Sequence, residues 1–520
     1  MVAPEIQALL NANSMNQLSP TWRDRIWIVG AVLIALLVGV QIAQGGWILA
    51  GGLAGAVGLL LLYRLDSSGL SKTVLVGLLA GYLIGNRGFA QFMPAPGLPL
   101  LPGEAGLAIL LTLLFVEQSR GRSKVSFWAA LDALIIGWIL VGAGRMFFDG
   151  RAYGILALRD FATVYYATFY LIARAAAMRD PRLGPTLLAT LRICAVPMAI
   201  LFVISGSFPG LFLDTLTVRG VPLIFFKADL VGLYAAIGAV LHFLRWEETG
   251  RKHNLIFCFG LFGLVMTSNN RAAMVALLVM CGWVVVSGRW RLAAWLGIGG
   301  LLGIFTLLLS AQLKNESWET TPLFDIYEAV VSVTDPTGQG VYRGQESSVK
   351  GDNNLFRWVW WKLAITEAWE KAPIFGLGFG YDISAEFSRE YFAGMANDFT
   401  ARSPHSIFVT IFARMGLVGL SLFLGIVALM FHHTRNALIS SVPHELGAWA
   451  GAWAILASAS FGVVLEGPMG AIVFWILLGI ASGMSSNLNA KEENSPMIDE
   501  ETDPQIKENE LNPHRIGNHA

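Results

Sequence analysis

The sequence predicts an all-α fold: a polytopic transmembrane helical bundle of about 12–14 helices with one large extramembrane loop that contains an amphipathic helix. Three observations lead there. Hydrophobic residues make up 55% of the 520 and charged residues only 14%, against about 25% charged in an ordinary soluble domain. Apolar runs follow one another from residue 26 to residue 484, interrupted once by a polar segment of some ninety residues, 313–404. At about 17–22 residues most can cross a hydrocarbon core of roughly 30 Å, and because they are continuous rather than alternating they select helices over barrel strands.

The expected spans lie near 26–42, 46–63, 73–86, 100–117, 125–143, 160–176, 186–205, 229–245, 254–268, 271–287, 292–312, 405–430, 446–464 and 468–484. This divides the chain into a cytoplasmic N-terminus (1–25), a transmembrane bundle (26–312), a large loop (313–404), C-terminal transmembrane helices (405–484) and an acidic tail (485–520). Arg23 and Arg25 precede a first apolar run with no cleavage-site pattern, so the first helix is expected to stay. The tail has eight acidic and three basic residues and little to bury, and is expected to be a disordered cytoplasmic segment. Cys194, Cys258 and Cys281 fall inside expected helices, and their odd number and spacing point to packing rather than disulfides or zinc.

Orientation follows from Lys and Arg in the short loops. With the N-terminus in the cytoplasm, that side holds sixteen of them and the opposite short loops seven. The expected arrangement is a multi-pass protein of the bacterial inner membrane with both termini inside and loop 313–404 in the periplasm. A loop of that length translocates largely regardless of its own charge.

Within the loop, residues 313–351 form an irregular polar stretch. From Asn353 the pattern changes: Leu355, Trp358, Trp361, Ile365 and Trp369 recur at three- and four-residue steps, which predicts an amphipathic helix stopped by Pro373 and Gly376. Its tryptophans suit the headgroup layer, placing it along the outer membrane surface; a Trp-rich core helix of a folded loop is the alternative. Farther on, Ser403 is the expected N-cap and Pro404 the first residue of a transmembrane helix, which puts His405 in its first turn. A helix N-terminus disfavours the imidazolium form, and a neutral imidazole at a water–membrane boundary suits a general base. Arg414, nine residues on, falls on the opposite helix face about 13 Å deeper, where it needs a partner such as Asp132, Glu104 or a carbonyl.

The segment FRWVWWKLAITEAWEKAPIFGLGFG, followed by PHSIFVTIFARMGLVGL, resembles the O-antigen ligase and O-antigen polymerase superfamily, as does the upstream TSNNRAAMVALLVM. The resemblance covers about 265–425 and rests on an Arg before the amphipathic stretch, the glycine turn, and the His that opens the next helix; Ser406 stands where Asn often follows that His. It implies an inverting, metal-independent glycosyltransferase without a cofactor, moving a glycan from a polyprenyl pyrophosphate carrier to an acceptor hydroxyl at the periplasmic face. The acceptor is lipid A-core or another lipid-linked repeat, serving lipopolysaccharide or exopolysaccharide synthesis. A protein hydroxyl is the alternative within the superfamily, and nucleic acid is not an expected partner. On the residues carried over, His405 is the base, with Arg271 and Arg357 stabilising the pyrophosphate. Gly376, Gly378 and Gly380 are candidates for a phosphate nest, and Arg145, Arg151, Arg159, Arg219 and Lys227, which run against the positive-inside trend, for guiding the anionic carrier or the acceptor. The rival class is a lipid-linked glycan transporter or flippase using Glu104, Asp132 and Arg192, though the sequence shows no internal repeat.

Overall fold

The structure, a computed structural model, describes residues 67–92, 101–119, 129–218, 220–268, 270–314, 345–391, 402–440 and 442–493, with isolated positions between 317 and 335. The expected spans at 26–42 and 46–63, the N-terminal segment, Arg219, most of 313–344 and the tail from 494 lie outside the described residues.

The described chain is helical almost throughout. In order run α1 (Ser67–Ile84), α2 (Arg87–Gln91), α3 (Pro102–Ser119), α4 (Ala130–Tyr153), α5 (Ile155–Tyr165), α6 (Thr168–Arg179) and α7 (Leu183–Ser207). A π-turn (Leu211–Thr215) and a two-residue hairpin, β1 (Thr217–Val218) with β2 (Val221–Pro222), lead into α8 (Ala228–Thr249), α9 (Lys252–Thr267), α10 (Arg271–Val286) and α11 (Arg291–Leu313). The chain closes with α12 (Gln345–Lys371), α13 (Ala385–Tyr391), α14 (Ile407–Ser440), α15 (Pro443–Ala459), a 3-10 turn (Val464–Glu466) and α16 (Pro468–Glu493). Among the described residues seven helical stretches are long and apolar enough to cross a membrane. The protein is a multi-pass helical membrane bundle.

α8 is the central post, with every side chain from Leu230 to Leu244 buried, whereas α11 turns nearly all of its surface outward as a peripheral helix does in lipid. Where helices gain little from the hydrophobic effect, close approach at small residues does the packing. Gly479 and Gly483 of α16 lie against Tyr170, Ala173 and Ala177 of α6, so tightly that a Cβ at Gly479 would stand 2.5 Å from the Tyr170 carbonyl oxygen. Beside this seam Arg174 pairs with the fully buried Asp132 at 3.0 Å, and Tyr170 donates to the same carboxylate at 2.8 Å. Glu104 accepts from Tyr165 and Tyr166. Neither acid is the partner of Arg414, because both already serve as acceptors at helix seams; the carbonyls among the expected partners are met, Arg414 donating to those of Gly378, Tyr381 and Arg402.

The expected helix at 405–430 is interrupted. At Gly416, with φ +61°, α14 leaves helical geometry and the stretch 373–378 is spliced into the gap. A regular helix would hydrogen-bond Leu417 N to Ala413 O and Val418 N to Arg414 O. Instead Leu417 and Val418 donate to the carbonyls of Pro373 and Ile374, while Leu377 and Gly378 donate to those of Ala413 and Arg414 at 2.7 and 3.1 Å. Two helical bonds are exchanged for four between segments, so the N–H groups and carbonyls that the break releases find partners, as hydrocarbon requires. A Cβ on Gly416 would lie 2.4 Å from the Ile374 oxygen. Gly416→Ala is therefore expected to lower stability by at least the ~1–3 kcal/mol of a strained residue, measured by thermal unfolding in detergent, while Gly297→Ala, with nothing within 4 Å, stays close to wild type.

Candidate functional site at the His405 end of the bundle

The helices α8, α10 and α14 all begin at one end of the bundle. Gly232, in the first turns of α8, lies against Ala273, Ser268 and Asn270, so the starts of α8 and α10 abut. Asn270 caps α10 by accepting from Ala273 N at 3.2 Å, which makes Arg271 the first residue of that helix. The start of α8 is set from the other side, where the buried Asn86 side chain accepts from Lys227 N at 2.9 Å. Three converging helix N-termini favour an anion at this end.

Arg357 comes from α12. The apolar stripe read from the sequence is not the face this helix buries: Trp358, Ile365 and Trp369 are exposed, as an interfacial Trp stripe would be, and the protein is met by Trp360, Ala364 and Ala368. Trp360 donates to the Ile383 carbonyl at 3.1 Å and Trp361 to that of Pro404, so two indoles clamp the loop carrying His405. Arg357 projects from the part of α12 that also carries Trp361 and lies mostly out of solvent.

His405 stands just ahead of α14 rather than in its first turn. The helix starts at Ile407, and Thr410 N donates to the Ser406 carbonyl. Ser403 accepts from His405 N at 3.2 Å and donates its hydroxyl to Glu466, so it closes a turn instead of capping a helix. That turn forces His405 to φ +58°, a conformation uncommon outside Gly and Asn. The ring packs edge-on between Trp360 and Phe356, at centroid distances of 5.9 and 6.3 Å. Glu466 and Asp160 hold the turn from two directions. Glu466, its carboxyl pushed upward by burial, also accepts from Thr410 at 2.8 Å. Asp160 pairs with Arg414 at 2.8 Å and accepts from Gly380 N at 2.9 Å, with Arg402 at 3.6 Å. Asp160 is thus the partner of Arg414 that the sequence could not name.

Electrostatically the group belongs together. Burial first, then the charges of Arg357 and Lys227, push the His405 imidazole down to about 4, with Asp229 opposing them. Burial and then Arg271 bring the Arg357 guanidinium down to about 10. Lys227 pairs with Asp229 at 2.9 Å. The His405 Nδ1 and the Arg357 Nε are buried and meet no partner of hydrogen-bond geometry among the described residues, so both keep that capacity for a substrate. The structure thus brings His405, Arg357 and Arg271 to one place, joins to them Lys227 alone of the expected carrier-guiding cations described, and adds Asp229.

The other expected site residues lie elsewhere. The N–H groups of Gly376 and Gly378 donate to carbonyls, Phe379 N donates to Asp149 at 2.7 Å and Gly380 N to Asp160, so the glycine turn has no free backbone donors with which to cradle a phosphate. Its glycines serve close approach: a Cβ at Gly376 would sit 2.4 Å from the backbone of α14, and one at Gly380 2.4 Å from Tyr153. Arg145 belongs to the same fastening, bonded to Asp149 at 2.9 Å and to the Gly376 carbonyl at 3.1 Å. Arg151 lies over the Phe147 ring at 4.7 Å, and exposed Arg159 is 3.8 Å from Asp160. None of the three is among the charges that act on His405.

Residues 256–424, which include Arg271, Arg357, the spliced glycine turn and His405, match the family model described as O-antigen ligase. No curated protein matches the chain. The matched stretch spans both the helix that begins at Arg271 and the break in α14, and over it the chain is similar to the O-antigen ligase family.

Proposed function

We propose that this protein transfers a glycan from a polyprenyl pyrophosphate carrier to a hydroxyl of lipid A-core or of another lipid-linked repeat, at the periplasmic face of the inner membrane. The observation that carries this reading is the convergence of His405, Arg357 and Arg271, from three separate stretches of the chain, on one helix-capped end of the bundle. His405 takes the proton of the acceptor hydroxyl as its oxygen attacks the anomeric carbon from the side opposite the carrier, and the anomeric configuration inverts. The glycosidic bond to the pyrophosphate breaks, and the electron pair leaves with the phosphate oxygen. The charge that builds there is met by the Arg357 and Arg271 guanidiniums, which grip two oxygens at once and need no divalent cation. Purified protein given polyprenyl pyrophosphate-linked glycan and acceptor is expected to keep transferring in excess chelator; activity that returns only with added magnesium or manganese would sink the arginine assignment.

The depressed imidazole adds a prediction. In the free protein His405 stays neutral down to about pH 4, since Arg357 and Lys227 repel the extra proton. A bound pyrophosphate brings the opposite charge, so donor binding should raise the proton affinity of His405 and make it a better base. The acid limb of kcat/KM, which reports free protein, is expected near pH 4, and the acid limb of kcat at higher pH. Folding is linked in the same direction. Between the ordinary imidazole value of about 6.5 and 4 the unfolded chain takes up a proton that the folded chain refuses, so stability is lost as pH falls through that window.

A further inference from the structure

Toward the far end of α8, about 18–29 Å from Asp229 at 1.5 Å per residue, a cavity of about 470 Å³ opens between α7, α8 and α15. Arg182, Arg192 and Arg245 line it, with Glu248 and His444 at its rim and Leu188 and Leu241 on its floor. Its size is that of an ordinary small-ligand site. Arg245 is neutralised by Glu248 at 2.9 Å. Arg192 is not: it is half-buried, nine residues into α7 and so about 13 Å from the helix start, and among the described residues no carboxylate lies within ion-pair distance. Its one side-chain bond is to the neutral Asn254 at 3.1 Å. His242 bridges Asn254 and the Arg192 carbonyl, both at 3.1 Å, and so holds the Asn254 side chain that accepts from the arginine. A cation held at that depth without a direct ion pair is costly, and such residues face a polar partner or a ligand. The N-terminal ends of α7 and α15 open on the same space and favour negative charge.

We infer that this cavity binds the phosphate headgroup of an anionic membrane lipid, with Arg192 as its central counter-charge. The stripe above the cavity decides for a lipid over a free phosphate. On α7 the exposed Ile193, Ile200 and Val203 recur at seven and three residues, so they continue the face that carries Ala189 and Arg192 toward the middle of the membrane. A headgroup on the arginines therefore lays its acyl chains along that stripe. Basic pockets between transmembrane helices hold anionic headgroups in this way. The site is remote from His405, and the inference does not depend on the transfer chemistry.

The test measures retention of phosphatidylglycerol and of phosphatidylcholine with the same chains by the delipidated full-length protein, using native mass spectrometry. Wild type is expected to prefer phosphatidylglycerol by at least tenfold. Arg192→Gln, which keeps a donor for Asn254, should abolish that preference. Glu248→Gln removes the one carboxylate at the rim and should tighten it, so a folding defect in the arginine variant would not leave the idea unexamined. Equal retention of the two lipids by wild type would overturn the inference, as would a folded Arg192→Gln that keeps the preference. So would complete displacement of the lipid by inorganic phosphate at equal concentration, which would assign the cavity to a soluble anion.

Discussion

His405→Ala is expected to reduce glycan transfer by about 10²–10⁴-fold at unchanged membrane level, the range lost with a general base. The substitution should not prevent insertion, because α14 begins two residues later and the turn is held by Ser403, Thr410 and Glu466 rather than by the imidazole. One complication is the backbone: His405 sits at φ +58°, which alanine tolerates no better. His405→Asn, whose side chain accepts that conformation readily, separates the two effects, since a strain-only role would leave the Asn variant active and a base role would leave it as inactive as Ala. Transfer is to be measured with saturating donor, and donor binding separately, so that a loss in kcat with retained binding identifies the proton-transfer step. Wild-type transfer by His405→Ala would send the search to Asp229, the carboxylate among the charges that act on His405.

Much of the bundle was legible because hydrocarbon imposes a simple rule on sequence: long apolar runs must be helices, and they show at the scale of a whole segment. The starts at Arg271 and Pro443 agree with local signals of the same kind, an Asn cap and a Pro at the first turn. What hydropathy cannot register is where a helix yields. The break in α14 depends on Gly416 meeting Gly376, forty residues earlier, and each glycine alone reads as an ordinary small residue in an apolar helix or a turn. The packing face of α12 was hidden for a related reason. Tryptophans dominate any search for an apolar stripe, yet the seam is made by Trp360 with Ala364 and Ala368, whose small side chains let the helix come close, while Trp358 and Trp369 on the opposite side remain outside.

The site divides along the same line. His405, Arg357 and Arg271 were visible because a charged or titratable side chain at the edge of an apolar run is conspicuous. Asp149, Asp160 and Glu466 were not singled out, since each is an isolated acid whose importance comes from partners 220 or more residues away in the first two cases and 56 or more in the third. The glycine turn illustrates the converse error. Three glycines at alternate positions suggest a phosphate nest, but whether a backbone N–H is free depends on what the fold puts opposite it, and here the fold supplies Asp149, Asp160 and the α14 carbonyls.

Arg357→Lys is the second substitution expected to have a large effect, with transfer falling at least tenfold although a formal positive charge is kept. Removal of one preorganised charge stabiliser typically costs about 10²–10³ in rate, and an ammonium restores only part of it because it cannot hold two phosphate oxygens in a fork. Burial deepens the loss. The same surroundings and the same Arg271 charge that bring the Arg357 guanidinium down to about 10 act on an ammonium that starts from a lower value, so lysine moves toward its neutral form close to working pH. The deficit of Arg357→Lys relative to wild type should therefore widen as pH rises, a trend that a purely structural role for the side chain does not produce. The measurement is the ratio of variant to wild-type kcat/KM across the alkaline range at matched protein. A ratio near one throughout would return phosphate recognition to Arg271 and leave α12 as a clamp for the His405 loop, working through Trp360 and Trp361 alone.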